Sequence, residues 1–316
     1  MRLYILLIIT VVLLACKQLP RQSPLTLKKE LRSELKNISG LTSTGNFLWA
    51  VADSSQPIIY KLDTAGNIIS HMRIKDQTVT SIQAISADDH FMYIGVTGNN
   101  NSSTTKERKI LIIPILDSER TEAESKDIIF SFPDADTSII NDDNFKCSAM
   151  ISFGDSLYIF ASGDGDITRV YTLPKNPGNY KAVYNNSFKS NGYITDAAID
   201  PANKEIVLLG YQEEHLYPFI LIASVNKPGL SFSGDLQRIE LADQSWDWKL
   251  ESITYTGNDR IYFACAQTPQ VPATLYGIQH SNLFKLNKSG KQQNDGKDEK
   301  SGKDKSHMSL KGHLKP

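Results

Sequence analysis

Cysteine is scarce in this chain: 316 residues hold three, at positions 16, 147 and 265. No Cys-x-x-Cys pair occurs, which removes the usual zinc-ribbon and thioredoxin signatures, and so few cysteines exclude a small disulfide-held scaffold. An excess of charge of one sign is missing too. The formal net charge is −1, so no overall field draws in nucleic acid, and none is expected as a partner. No apolar run approaches the ~20 residues of a membrane-spanning helix; the longest, Leu3–Leu14, has about 12. Catalytic punctuation is absent as well. There is no Gly-x-Ser-x-Gly elbow and no phosphate-cradling glycine loop ending in lysine. His71, His90, His215 and His280 share no ligand spacing such as His-x-x-x-His.

What is present begins at the amino terminus. Arg2 followed by the apolar run has the shape of a secretory signal. Leu13-Leu14-Ala15-Cys16 resembles the bacterial lipobox, which makes Cys16 the expected lipidation site, carrying palmitate-type chains after cleavage on its amino side. Two or three acyl chains on one residue hold a protein stably on a membrane. An ordinary signal peptide with an accidental cysteine is the alternative. Residues 1–15 are therefore the expected signal and 16–24 a tether. The expected location is the bacterial cell envelope, anchored by lipid, with the outer membrane favoured. Cys147 and Cys265 fall in separate apolar segments and are expected to be two buried thiols.

Strand signals then follow one another. Asn37–Leu41, Phe47–Ala52, Ile58–Leu62 and Ile68–Ile74 make one four-stranded unit, with Asp63–Gly66 as a tight turn. A second unit reads Val79–Ser86, Phe91–Thr97, Lys109–Leu116 and Asp127–Phe132. A third reads Ser148–Ser152, Ser156–Ser162, Arg169–Leu173 and Tyr180–Tyr184. A fourth reads Ile194–Ile199, Glu205–Gly210, Pro218–Val225 and Leu236–Leu241. A fifth reads Leu250–Tyr255, Arg260–Ala266 and Ala273–Ile278, with Asn282–Leu286 trailing. Four strands in about 40 residues is the size of a propeller blade. The chain is thus expected to be all-β: a single propeller of five four-stranded blades over residues 25–286, with six blades as the alternative. Leu25–Leu31 is placed to complete the last blade, although Lys28–Lys36 could equally form a helical turn. Residues 287–316 carry eight lysines against four acidic residues and almost nothing apolar, so a disordered tail is expected there.

Ile38–Leu41 (ISGL) with Leu48-Trp49 and Asp53-Ser54, Tyr93–Gly95 with Gly98–Asn100, Tyr171–Pro174 with Pro177-Gly178, and Ile194–Ala198 with Leu208–Tyr211 carry a resemblance. Over about residues 36–280 the chain resembles the uncharacterised β-propeller proteins and lipoproteins common in Bacteroidetes, distantly similar to phytase-like and esterase-like propellers. That resemblance implies a carboxylate at the start of each innermost strand and, with enough of them, a Ca²⁺ site. Asn37, Ser81–Ala84, Val96 and Ser148 stand where acidic residues are implied. Only Asp53, Asp196 and Glu251 remain at matching positions as a possible metal or channel set, with the alternative that each accepts backbone N–H groups at a turn or pins a neighbouring blade. Losing the others favours a binding or scaffolding module for a protein or glycan, without catalytic residues. A Ca²⁺-dependent phosphoesterase or lactonase-like hydrolase is the alternative. Trp246 and Trp248 precede the fifth unit's first strand, and Tyr211 and Tyr217 flank an acidic loop. All four are candidate ligand-rim aromatics, with packing between blades as the competing role for the two tryptophans. Gly163–Asp166 is expected to be a plain turn, since an EF-hand's later acidic ligand is missing.

Overall fold

The computed structural model describes residues 25–286, apart from 78, 80, 98–107, 116–119, 134–145, 163–165, 201–204, 213–216, 226–229, 231, 233–235, 242–248 and 258. The expected signal with Cys16, the tether and the lysine-rich tail lie outside the described residues.

β1 (Leu25–Glu30) precedes a single 3-10 turn, Ser33–Leu35. Blade one is β2 (Ile38–Thr44), β3 (Phe47–Ala52), β4 (Ile58–Leu62) and β5 (Ile68–Ile74). Blade two is β6 (Ala84–Ala87), β7 (Phe91–Val96), β8 (Arg108–Pro114) and, beyond the two-residue β9 (Glu122–Ala123), β10 (Lys126–Ser131). Blade three is β11 (Lys146–Phe153), β12 (Ser156–Ser162), β13 (Ile167–Pro174) and, beyond the short β14 (Gly178–Lys181), β15 (Val183–Lys189). Blade four is β16 (Tyr193–Asp200), β17 (Glu205–Gln212), β18 (Tyr217–Ser224) and β19 (Gln237–Glu240). Blade five is β20 (Lys249–Thr256), β21 (Arg260–Ala266) and β22 (Thr274–Gln279). Its fourth strand is β1, antiparallel to β22, so the first strand of the chain closes the ring.

Packing follows from the two-residue period of a strand. In β12, Leu157, Ile159 and Ala161 enter the seam with blade two, while Tyr158 and Phe160 enter the seam with blade four. Both faces of a blade are covered, so its strands read as continuous apolar runs. The core is accordingly five clusters, one per seam, the last joining Leu275 and Tyr262 of blade five to Leu41 and Leu48 of blade one. Five seams close the circle and the six-bladed alternative is set aside. Cys147 lies in the seam of blades two and three and Cys265 in that of four and five; both are free, buried thiols. At the hub the inner strands come close enough that a Cβ on Gly40 would lie 2.9 Å from the Ile85 backbone nitrogen.

Each blade's outer edge is covered by the next blade. β9 pairs parallel with β5, and β14 pairs parallel with β10. On blade three, the Asn186 side-chain amide donates to Leu230 O (3.3 Å) and Phe188 stacks on Phe232 (4.8 Å between centroids). On blade four the cover is a helical segment, 280–286, whose Leu283 and Leu286 pack with Ile239 and Leu241. On blade five, β1 meets the β4–β5 turn at Gly66 (φ +84°), where a Cβ would lie 3.0 Å from Lys29 Cγ. Covered edges leave few open ladders for unwanted pairing.

Three expectations are corrected here. Tyr180–Tyr184 is not one strand: β14 ends at Lys181 as the fifth strand of blade two, Ala182 N–H still donates to Ser131 O, and β15 supplies blade three's outer strand. The trailing Asn282–Leu286 is helical, because β1 already occupies the ladder position beside β22. The first strand of blade two starts at Ala84; Val79 and Ile82 instead fill the seam with blade one.

Candidate functional site

Two ends of the ring carry chemistry. At one end the inner strands begin, and Asp53, Asp196 and Glu251 gather near it. A register shift at the start of β2, β11, β16 and β20 turns one residue out of each ladder, the local effect of a bulge. Two of these residues bridge to a neighbouring blade: Ser39 Oγ donates to Ile82 O (2.7 Å), just ahead of β6, and Thr195 Oγ to Leu250 O (3.2 Å) of β20.

Asp196 follows the bulge in β16 and is fully buried. Its Oδ1 accepts the Ala197 N–H and its Oδ2 the Ile253 N–H of blade five, both at 2.8 Å. Burial pushes its pKa well above the carboxylate range, against these N–H groups and that of Leu41, and nearby Glu251 adds to the rise. Glu251 is half-buried and lies 3.0 Å from Lys249 Nζ. Its pKa is raised by burial against the pull of Lys249, with Asp53 adding to the rise. Asp53 is exposed, and its Oδ1 accepts from Ser81 Oγ (3.1 Å). The three carboxylates feel one another, yet no group of three His, Cys, Asp or Glu able to hold a metal ion occurs among the described residues. Tyr211 and Tyr217 are half-buried at the β17–β18 turn, Tyr211 facing Tyr193 at 6.2 Å. Trp246 and Trp248, and residues 163–165 of the expected turn, lie outside the described residues.

At the opposite end the inner strands finish in hairpins, and a depression of about 1320 Å³ opens there. All five blades contribute, through Ser43, Asp88, Ser152, Asp200 and Tyr255 among others. Its organising residue is Asp88, at the β6–β7 turn. Oδ1 accepts the N–H groups of His90 (3.0 Å) and Phe91 (2.9 Å), the usual way an aspartate shapes a turn. Oδ2 accepts from Tyr93 Oη (2.8 Å) and Lys175 Nζ (2.9 Å), with Ser152 Oγ at 3.5 Å. Burial works to raise the Asp88 pKa, but Lys175, the two N–H groups and Tyr93 outweigh it and hold the carboxyl well below its usual range. Burial and the same carboxylate push the Tyr93 phenol well above its ordinary value. Lys175 Nζ also lies 5.7 Å from the Tyr93 ring centre. Phe91, two residues before Tyr93 on β7, is 39% exposed at the rim.

Sequence reasoning missed this second group. Asp88 carries no signal beyond a residue type common in turns, and its partners Ser152 and Lys175 are 64 and 87 positions away.

No protein-family model matches the chain, and no curated protein matches it. Among solved structures it is similar to a Myxococcus xanthus glutaminyl cyclase: 10% identity, 80% of this chain and 94% of that one, TM-score 0.48. It is also similar to the WD40 β-propeller domain of Doa1: 7% identity, 82% and 97% coverage, TM-score 0.41. A third is a Kuenenia stuttgartiensis hydrazine synthase: 14% identity, 77% of this chain, TM-score 0.40, with only 59% of that chain spanned. None is similar enough to bear on ligand or activity, and the five-bladed ring stands on the strand pairing alone.

Proposed function

We propose that this chain is a lipid-anchored bacterial envelope propeller of the Bacteroidetes type, serving as a binding or scaffolding module for a glycan or protein rather than as a catalyst. One observation carries the reading: Asp196, the most buried of the three hub carboxylates, spends both oxygens on backbone N–H groups of blades four and five. A carboxylate so engaged is a fastener of the ring. It offers no free oxygen to a cation and no accessible proton to a substrate, whereas general acid–base work needs a carboxyl within hydrogen-bond reach of the reacting atom. Glu251 is neutralised by Lys249, and Asp53 takes part in a surface hydrogen bond. The open hairpin-face depression supplies the room that a ligand needs. Anchoring follows from Cys16 and its apolar leader, and the outer membrane is the proposed site.

Calorimetric titration of the full chain in detergent with Ca²⁺, paired with a generic phosphoester hydrolysis assay, tests this. Silence in both is expected. Tight Ca²⁺ binding lost in Asp196→Ala, together with turnover, would establish the hydrolase reading in its place.

A further inference from the structure

We infer that the hairpin-face depression is a binding site for a neutral oligosaccharide, with Phe91 as its stacking platform and Lys175 as a hydrogen-bond donor; this rests on the reading of the chain as a binding module. Three observations select the ligand. The first is size. At about 1320 Å³ the depression exceeds the ~300–1,000 Å³ usual for small-molecule sites, which suits a chain of several rings better than a single metabolite.

The second is charge. The floor is a closed ion pair. Lys175 lies 2.9 Å from Asp88 and over the Tyr93 ring, so that carboxylate and that π face already hold a cation. A second cation would meet Lys175 there. An anion is disfavoured from outside, because Asp89, Glu124 and Asp155 stand exposed around the rim and, among the described lining residues, Lys126 is the one exposed lysine or arginine that opposes them. A neutral ligand avoids both costs.

The third is the kind of group presented. Lys175 has three N–H donors and gives one to Asp88. Ser152 adds a hydroxyl, and the rim carboxylates are acceptors. Donors and acceptors thus stand beside an exposed aromatic ring, Phe91, braced by His90 and Tyr93, each with its ring centre 6.5 Å away. Sugar rings carry hydroxyls around their edge and C–H groups on their faces, which calls for this pairing. Asp88 itself is saturated, so it positions Lys175 and Tyr93 and touches no ligand.

The test uses the full chain in detergent and calorimetric or NMR titration with cellohexaose, laminarihexaose and mannohexaose as neutral probes. A hexamer of galacturonate is the anionic control and a hexamer of glucosamine the cationic one. At least one neutral hexamer is expected to bind, weakened about tenfold in Phe91→Ala, the scale of one lost ring contact, and retained in Phe91→Trp. Phe91 is exposed, so both variants should keep the wild-type melting profile. Binding of none of the neutral hexamers overturns the inference, as does binding by the glucosamine hexamer alone. A neutral probe that binds and is unaffected by Phe91→Ala would take the site away from the hairpin face. That outcome sinks this inference and leaves the binding-module reading intact, which falls only with Ca²⁺ binding and turnover.

Discussion

Replacing Asp196 by alanine asks whether the hub carboxylate fastens the ring or holds a ligand. In the native chain it takes two buried N–H groups at 2.8 Å, one from its own strand and one from blade five. Alanine leaves both donors without that acceptor. An orphaned buried donor costs about 1–3 kcal/mol, so the pair should cost about 2–6 kcal/mol when Asp196 is protonated in both states. The pH dependence has a definite sign. Burial raises the folded-state pKa above the ordinary carboxylate value, so the folded chain keeps a proton that the unfolded chain releases. The contribution of Asp196 is therefore complete below its unfolded pKa of about 3.9 and declines as pH rises toward the folded one. Within that window the decline is about 1.4 kcal/mol per pH unit. The alanine variant has no such slope, so its deficit should be largest at acid pH and shrink on the way to neutrality. Asp196→Asn keeps one acceptor and faces the other N–H with an amide NH2 group, itself a donor; its cost should be smaller, about 1–3 kcal/mol. Urea unfolding of wild type and both variants from about pH 4 to about pH 8 measures all three quantities as differences, in which the other carboxyls largely cancel. A deficit that grows with pH would mean an ionised carboxylate stabilised by its donors, and would refute the reasoning. So would wild-type stability that rises in millimolar Ca²⁺ while the variants stay unmoved.

Further outcomes concern the anchor, an edge and the hairpin face. Cys16→Ser should abolish labelling by radioactive palmitate and move the chain from the membrane to the soluble fraction, with an unchanged β-type circular dichroism spectrum. Ending the chain after Gln279 removes Leu283 and Leu286 from the seam beside blade four. At about 1.5–3 kcal/mol for each buried leucine, urea stability should fall by about 3–6 kcal/mol, whereas ending it after Leu286 should cost little. Asp88 has a depressed folded-state pKa, so its contribution is complete above the ordinary carboxylate range and is lost as pH falls through the folded value. Asp88→Asn should therefore flatten the acid side of the stability profile, read as the urea midpoint below about pH 4, and should lower stability at neutral pH by leaving Lys175 without its partner.

How far the sequence shows this molecule depends on which contacts are local. Strand positions were legible to within about three residues in blades one and four, because a strand sandwiched between two seams leaves a continuous apolar mark close to its own length. Glu205–Gln212 is such a run, its buried side chains shared between the seams on either side. That mark reports burial and says nothing of the partner. Tyr180–Tyr184 carries the alternation of one strand, yet the chain crosses from blade two to blade three at Ala182, since a parallel pairing with Ile128–Ser131 needs no turn signal of its own. The hub residues were found through the resemblance to envelope propellers, which implies acidic residues at those positions. That Asp196 accepts backbone N–H groups was among the expectations; which strand it pins was hidden, because Ile253 approaches from 57 positions away. The hairpin face was hidden twice over. Asp88 satisfies its turn with Oδ1, which a reader of Asp88-Asp89-His90 can anticipate, and then uses Oδ2 for groups from blade three that no spacing announces. One side chain thus shapes a local turn and seats a distant lysine. In a ring of this kind, sites of that sort arise wherever a turn residue of one blade meets the outer loops of the next.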